Sequence, residues 1–194
     1  MSRTRPRTLS ILLLAGVVAL TLSACAAGAD DPATTSTPVE TRSPLPDAEP
    51  PVPTVVPATL PTDCNTLGTE YTRQEAVGDM TLQGDGTGFV RSAPANAQLA
   101  LGCDWIIEEV AGVLLLISTA EPAEVLTAAE ALPAQGWTCG VADDFGASYC
   151  SIAPPDTPGV EDVVVARDGV WIYLETYNRN VNDFLSEIAA QIWS

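Results

Sequence analysis

Gly112-Val113-Leu114-Leu115-Leu116-Ile117-Ser118-Thr119-Ala120 and Gly169-Val170-Trp171-Ile172-Tyr173-Leu174-Glu175-Thr176-Tyr177 are β-prone runs that align in register without a gap. Each is followed by a helical pattern. The first helix opens near Pro122, a residue suited to a first turn, and stops around Pro133 and Gly136, with Val125, Leu126, Ala129 and Leu132 as its apolar positions. The second, about residues 180–193, sets Val181, Phe184, Leu185, Ile188 and Ile192 on one stripe, with Asn180 as N-cap and Asp183 in the first turn. Asp168-Gly169 separates Val163–Arg167 from the second run, a strong signal for a two-residue hairpin. Such a turn pairs Val165 with Ile172 and Val163 with Leu174 on the face expected to meet the helices. Val164 with Tyr173, and Ala166 with Trp171, fall on the opposite face. Leu99–Glu108 leads through Ala111-Gly112 into Val113–Thr119 as a second hairpin. Strand, strand, helix thus occurs twice, which predicts an α+β domain: an antiparallel sheet with helices packed on one face. Residues 65–98 carry Gly68, Gly78, Gly84, Gly86 and Gly88 and are expected to form short helical turns and loops.

The folded part begins late in the chain. Residues 26–62 hold nine prolines from Pro32 to Pro61 among Thr, Ala, Ser and acids, and no aromatic residue precedes Tyr71. Such a stretch buries too little apolar surface to offset its ordering entropy. It reads as a disordered, partly polyproline II tether, reaching on the order of 100 Å at about 3.1 Å per residue if fully extended. Its threonines near proline are candidates for O-linked sugars. Ahead of it, Arg3, Arg5 and Arg7 precede an apolar run, Ile11 to Leu20, too short to span a bilayer. Leu22-Ser23-Ala24-Cys25 then resembles the bacterial lipobox. The resemblance implies cleavage of a signal peptide, residues 1–24, and acylation of Cys25 by a diacylglyceryl group and fatty (palmitate) chains. It also implies a protein held at the outer face of the cell membrane, with residues 25–62 as the lipidated cysteine and its tether. Residues 63–194, a comfortable size for one core, are expected to form a single domain. A plain secretory signal with an incidental cysteine is the alternative.

Outside the cytoplasm, four remaining cysteines read as a disulfide framework with three connectivities. Cys139–Cys150 is favoured because the pair flanks Asp143-Asp144-Phe145-Gly146, a natural hairpin tip. Cys64–Cys103 would then fasten the domain's entry to its first core strand. A zinc site built from all four is disfavoured, since no C-x2-C pair occurs.

Composition narrows function by exclusion. The formal net charge is −17, histidine is absent, and all eight basic residues are arginines. Cleavage before Cys25 removes three of those arginines and no acid. An acidic surface of this kind repels nucleic acid and anionic lipid headgroups, and it suits solubility, a cationic partner or a divalent ion. Without histidine the usual Ser-His-Asp and Cys-His nucleophilic sites and His-ligated zinc or iron are excluded. Without lysine, Schiff-base chemistry and the P-loop lysine are excluded too. Carboxylate work remains: a glycosidase-like acid/base pair or an Asp/Glu metal site.

Trp171 and Tyr173 on the face away from the helices are candidates for a platform that stacks sugar rings, with Trp105 or Trp137 beside them. The competing expectation is that they fill a second small core under the loops. Glu175 lies near Tyr173, and its counterpart in the first run is Ser118. Gly84-Asp85-Gly86-Thr87-Gly88 lacks the ligand spacing of an EF-hand and the lysine of a P-loop, so a flexible loop is expected. Asp143-Asp144 and Glu161-Asp162 are read as solvated turn acids, and Val110–Ile117 as a buried strand.

The lipobox, the Thr/Pro/Ala tether and a domain opening Leu60-Pro61-Thr62-Asp63-Cys64, with Cys103-Asp104-Trp105 and a terminal apolar helix, resemble a broad class of actinobacterial lipoproteins. Several families of that class are known only as domains of uncharacterised function. The architecture is also similar to the two-disulfide extracellular sensor domains of mycobacterial serine/threonine kinases, whose kinase and membrane helix have no counterpart in this sequence. No functional residue is implied by these resemblances. The expected function is a non-enzymatic, lipid-anchored surface protein that binds a ligand, an envelope protein or a glycan, with no cofactor and no nucleic acid. The alternatives are a carboxylate-dependent hydrolase of cell-wall glycan and a purely structural envelope component.

Overall fold

The computed structural model describes residues 57–194. The signal segment 1–24, Cys25 and the tether up to residue 56 lie outside the described residues. Among the described residues seven strands are present: β1 (Thr81–Gly84), β2 (Gln98–Ile107), β3 (Ala111–Thr119), β4 (Thr138–Ala142), β5 (Ala147–Ile152), β6 (Val160–Arg167) and β7 (Val170–Tyr177). Three α-helices accompany them: α1 (Glu70–Val77), α2 (Pro122–Ala131) and α3 (Asn182–Trp193). The strands form one antiparallel sheet in the order β1-β2-β3-β7-β6-β5-β4.

The Asp168-Gly169 turn forms as expected. Both residues take positive φ, 47° and 84°, the requirement of a type I′ hairpin, and Val165–Ile172 and Val164–Tyr173 pair as the turn dictates. The hairpins β2–β3 and β6–β7 then meet at β3–β7, where Leu116 lies opposite Tyr173, its own counterpart in the aligned runs. Aligned residues share a face of the sheet, Leu115 with Ile172 and Leu116 with Tyr173. The two hairpins are therefore related by a pseudo-two-fold axis normal to the sheet, passing between Leu116 and Tyr173.

The helices do not obey that axis, and here the expectation of one helical face is corrected. Val113, Leu115, Ile117, Val163, Val165, Ile172 and Leu174 pack against Phe184, Leu185, Ile188 and Ile192 of α3, with Ala76 and Val77 of α1 nearby. Leu114, Leu116, Val164, Ala166, Trp171 and Tyr173 face the other way, against Val125, Ala129 and Leu132 in and beyond α2. The central strands β3 and β7 are apolar on both sides, so a single helical layer would leave one side in water. Each fully buried aliphatic or aromatic side chain stabilises this arrangement by about 1.5–3 kcal/mol. Leu126, expected on the buried stripe of α2, points outward and is 56% exposed. Val181 precedes α3 as its N-cap residue, while the Asn180 carboxamide oxygen accepts from the Asn182 N–H at 3.0 Å.

Both favoured disulfides are present, Cys64–Cys103 and Cys139–Cys150. The first ties a 3-10 turn at Cys64–Thr66 to β2, and the second bridges residues directly opposite each other on β4 and β5. Ahead of Cys64, Ala58 and Leu60 pack on the core and the Thr59 N–H donates to the Ile192 carbonyl at 2.8 Å. The packed unit thus takes in residues assigned by composition to the end of the tether. Residues 65–98, expected to form short helical turns and loops, contain the eight-residue helix α1, capped reciprocally by Thr69 and Thr72, and also the edge strand β1, which was not expected.

Candidate functional site

Residues 85–97 leave β1 and cross the face of the sheet that carries Trp171 and Tyr173 before entering β2. The sequence permits this close crossing at two glycines. A Cβ on Gly102 would stand 2.1 Å from the Asp85 carbonyl oxygen, and one on Gly86 would stand 2.6 Å from Leu116 Cδ2 and 3.1 Å from Gly102 Cα. Gly86 also needs φ of +70°, a conformation costly for residues with a side chain. Backbone therefore lies on backbone, and the strap is seated directly on β2.

Three polar contacts hold the rest of the strap. The Trp171 indole Nε1–H donates to the Ser92 carbonyl at 2.9 Å. The Arg91 guanidinium donates through two nitrogens to Glu175, at 2.8 Å and 3.3 Å, and also lies 5.3 Å over the Phe89 ring. At the far end the Asn96 side-chain amide donates to Glu124 of α2 at 3.3 Å. Between strap and sheet is a cleft of about 310 Å³, floored by Leu116, Ser118, Trp171 and Tyr173 and rimmed by Phe89 and Leu99. The cleft is at the small end of ligand pockets, a fit for one ring or one side chain. Phe89 and Leu99 expose apolar surface at its mouth, and Val90 between Phe89 and Arg91 is exposed as well.

Beside the cleft, a row of carboxylates runs across the same face. Asp104 on β2 is opposite Leu114, Leu114 is opposite Glu175, and Glu175 is opposite Asp162 on β6. Like charges on directly paired strand positions repel. Arg91 offsets this by neutralising Glu175, and the Tyr173 hydroxyl donates to Glu175 Oε2 at 3.3 Å. Burial raises the Asp162 carboxyl above its ordinary pKa, Glu175 adds to the rise, and the Tyr173 hydroxyl and Arg91 oppose it. Asp104 is raised by burial and then by Glu175. Burial, with Asp162 and Glu175 next to it, moves the Tyr173 phenol well above its usual value, so it is a neutral hydrogen-bond donor at all physiological pH. For Arg91, burial opposes the charge, but the Glu175 carboxylate outweighs it and lifts the guanidinium pKa. One oxygen of Asp162 is buried without a hydrogen-bond partner. Among the described residues, no three metal-capable side chains gather into a cation site.

The proposed aromatic platform is thus brought together in part and altered in kind. Trp171 and Tyr173 share the cleft floor with Glu175 next to them, but they are 1% and 3% exposed, covered by the strap and α2. Their faces are not an open stacking surface, and the expectation of a second small core under the loops describes them better. Trp137 packs at the border of the same cluster. Trp105 is on the opposite side of the sheet, edge-on to Phe184 with ring centroids 6.2 Å apart, so it takes no part in the cleft. Arg91 and the strap itself escaped the sequence reading. Their partners are 84 and 79 residues away, and no local pattern announces such pairings. Glycines at 84, 86 and 88 were the one visible sign. Compared with protein-family models, curated proteins and solved structures, the chain finds no match, so the chemistry of this cleft stands on its own geometry.

Proposed function

We propose that this is a lipid-anchored protein of the outer membrane face whose domain, without catalysis, binds a ligand or protein partner of the cell envelope. The cleft under the strap carries this proposal: an apolar, aromatic-floored hollow with a polar latch, Arg91 to Glu175, at its side. Arg91 and the Ser92 carbonyl are the strap's polar attachments over the floor, so a ligand entering between strap and sheet exchanges those contacts for its own. A single sugar ring or a partner's side chain matches the volume. The lipobox-like Cys25, the tether and the secretory N-terminus support the location, and the acidic surface argues against nucleic acid as partner. Among the described residues no helix is long and apolar enough to cross a membrane.

A hydrolytic reading has one observation in its favour. Asp162 and Glu175 are cross-strand neighbours with contrasting environments, one raised by burial and the other bound by an arginine, the pattern of an acid beside a carboxylate. Against it, both Glu175 oxygens accept from Arg91, and one Asp162 oxygen is buried from substrate. Pull-down of cell-envelope proteins and glycans with residues 57–194 tests both. Capture that is lost on substituting Arg91→Gln supports binding at the cleft. Glycan cleavage that is lost in Asp162→Asn replaces it with hydrolysis. Neither capture nor cleavage leaves a structural role and refutes the proposal.

A further inference from the structure

The two edges of the sheet are built differently. At one, β1 makes only three pairs with β2, with a register shift between Leu82 and Gly84, and its chain then turns away into the strap. Short, bulged edges of this kind resist pairing with another chain. At the other, β4 pairs with β5 over five consecutive positions with no shift. Thr138-Cys139-Gly140-Val141-Ala142 contains no charge and no proline, its first four residues are exposed, and Val141 is 72% exposed. The devices that normally protect an edge are missing from it.

The disulfide also fixes which backbone groups this edge presents. Cys139 and Cys150 are directly opposite with a Cα–Cα distance of 4.1 Å, the spacing of a non-hydrogen-bonded antiparallel pair. The N–H and C=O groups of Cys139, and by alternation those of Val141, therefore point away from β5 to the open side. Two outward residues separated by one are self-complementary across a two-fold axis. Cys139 of one copy and Val141 of another form a hydrogen-bonded pair, the reciprocal pair forms likewise, and Gly140 lies opposite its own copy on the axis. Glycine at that close, non-hydrogen-bonded position brings neither charge nor bulk to the axis. In this register Asp143 falls opposite Trp137 and Asp144 opposite Gly136, so the acids flanking the strand do not face one another. A chain with net charge −17 has few surfaces that approach a copy of themselves without repulsion, and this is one.

We infer that β4 is an interface for a second copy of this chain, joining two seven-stranded sheets through antiparallel β4–β4 pairing centred on Gly140. The contact is small beside standard interfaces, so association is weak and calls for chain near about 1 mM to populate it. The test uses residues 57–194 with both disulfides intact, in sedimentation equilibrium and amide hydrogen exchange at low and high chain concentration. The expected result is a dimer whose formation slows exchange at the Cys139 and Val141 amides about twofold where half the chain is paired, and further as the concentration rises, with the Thr81–Gly84 amides unchanged. Gly140→Lys tests the axis. A Cβ there meets nothing within 4 Å in the single chain, so the fold tolerates it, whereas two lysines would meet in the dimer. The variant should keep the wild-type circular dichroism spectrum and remain monomeric. A wild-type chain monomeric at all concentrations, a dimer that leaves Cys139 and Val141 unprotected, or a folded Gly140→Lys that still dimerises would each overturn the inference.

Discussion

Gly102→Ala is the sharpest perturbation of the strap, because it adds one methyl group where the strap's backbone rests. The new Cβ would stand 2.1 Å from the Asp85 oxygen, 2.9 Å from its carbonyl carbon and 3.0 Å from Gly86 Cα. Ordinary contact needs 3.4 Å or more, so the root of the strap must lift by more than an ångström. The cost of that lift has a ceiling, since the strap releases once strain exceeds what holds it. What holds it, beside the exposed Asn96–Glu124 hydrogen bond, which adds little, is the Trp171–Ser92 hydrogen bond, about 1 kcal/mol. The Arg91–Glu175 pair, with side chains 28% and 30% exposed, adds no more than about 1 kcal/mol. Part of the burial of Trp171 and Tyr173 is also lost, a further 1 kcal/mol or so, because α2 still covers their other side. The expected loss is therefore about 2–3 kcal/mol, at the upper end of the roughly 1–3 kcal/mol typical of overpacking. Urea unfolding gives the free energy, and acrylamide quenching, with Trp171→Phe as the background, isolates the one indole under the strap. Increased quenching of Trp171 together with a loss in that range is expected. Unchanged quenching and unchanged stability would show that the strap does not rest on Gly102 and refute the reasoning.

Other expectations follow from the same structure. Removing Cys64–Cys103 frees a loop with a sequence separation of 39, and removing Cys139–Cys150 one of 11, so loop-closure entropy assigns about 4 and about 3 kcal/mol respectively. Paired alanine variants compared by denaturant unfolding should fall in that order. Asp162→Asn should stabilise the domain at neutral pH, because the folded state raises this carboxyl's pKa and so disfavours its charged form. The wild type binds the extra proton only when folded, so its disadvantage grows as pH rises from about 4 through the raised pKa and vanishes below. Equal stability of the two proteins at pH 7 would contradict that account. Cys25→Ala should move the full-length protein from the membrane fraction to the soluble fraction on cell fractionation, and continued membrane retention would remove the proposed lipid anchor.

Local patterns carried the sheet's centre and little of what covers it. Asp168-Gly169 dictates its hairpin from two adjacent residues, and the stripe from Val181 to Ile192 dictates α3 from its own periodicity. The choice of sheet face by α2 has no such local signature. Val125, Ala129 and Leu132 reveal which side of the helix is apolar, while the turn at Ala120, whose N–H donates to the Gly169 carbonyl, sends it across the opposite side from α3. Helix α1 was legible only as a short helical turn without bounds, because only Ala76 and Val77 of its eight residues are buried and its apolar stripe is too short to fix them. The candidate site was half legible. Trp171, Tyr173 and Glu175 are two apart on one strand and so share a face. Arg91 and Ser92 reach them through a chain crossing set by Gly86 and Gly102, a packing event spread over 79 to 84 residues of sequence.

The cleft as a binding site is the claim on which the functional account rests, and the Trp171 indole is its natural reporter. A nuclear magnetic resonance titration of the domain with soluble cell-wall glycan fragments and envelope peptides follows the Trp171 Nε1–H and the Arg91 Nε–H directly. Binding at the cleft predicts saturable shifts of both resonances, with the Trp105 indole, on the far side of the sheet, left in place. Saturable shifts confined to other surfaces, or no shift with any envelope fraction, would contradict it.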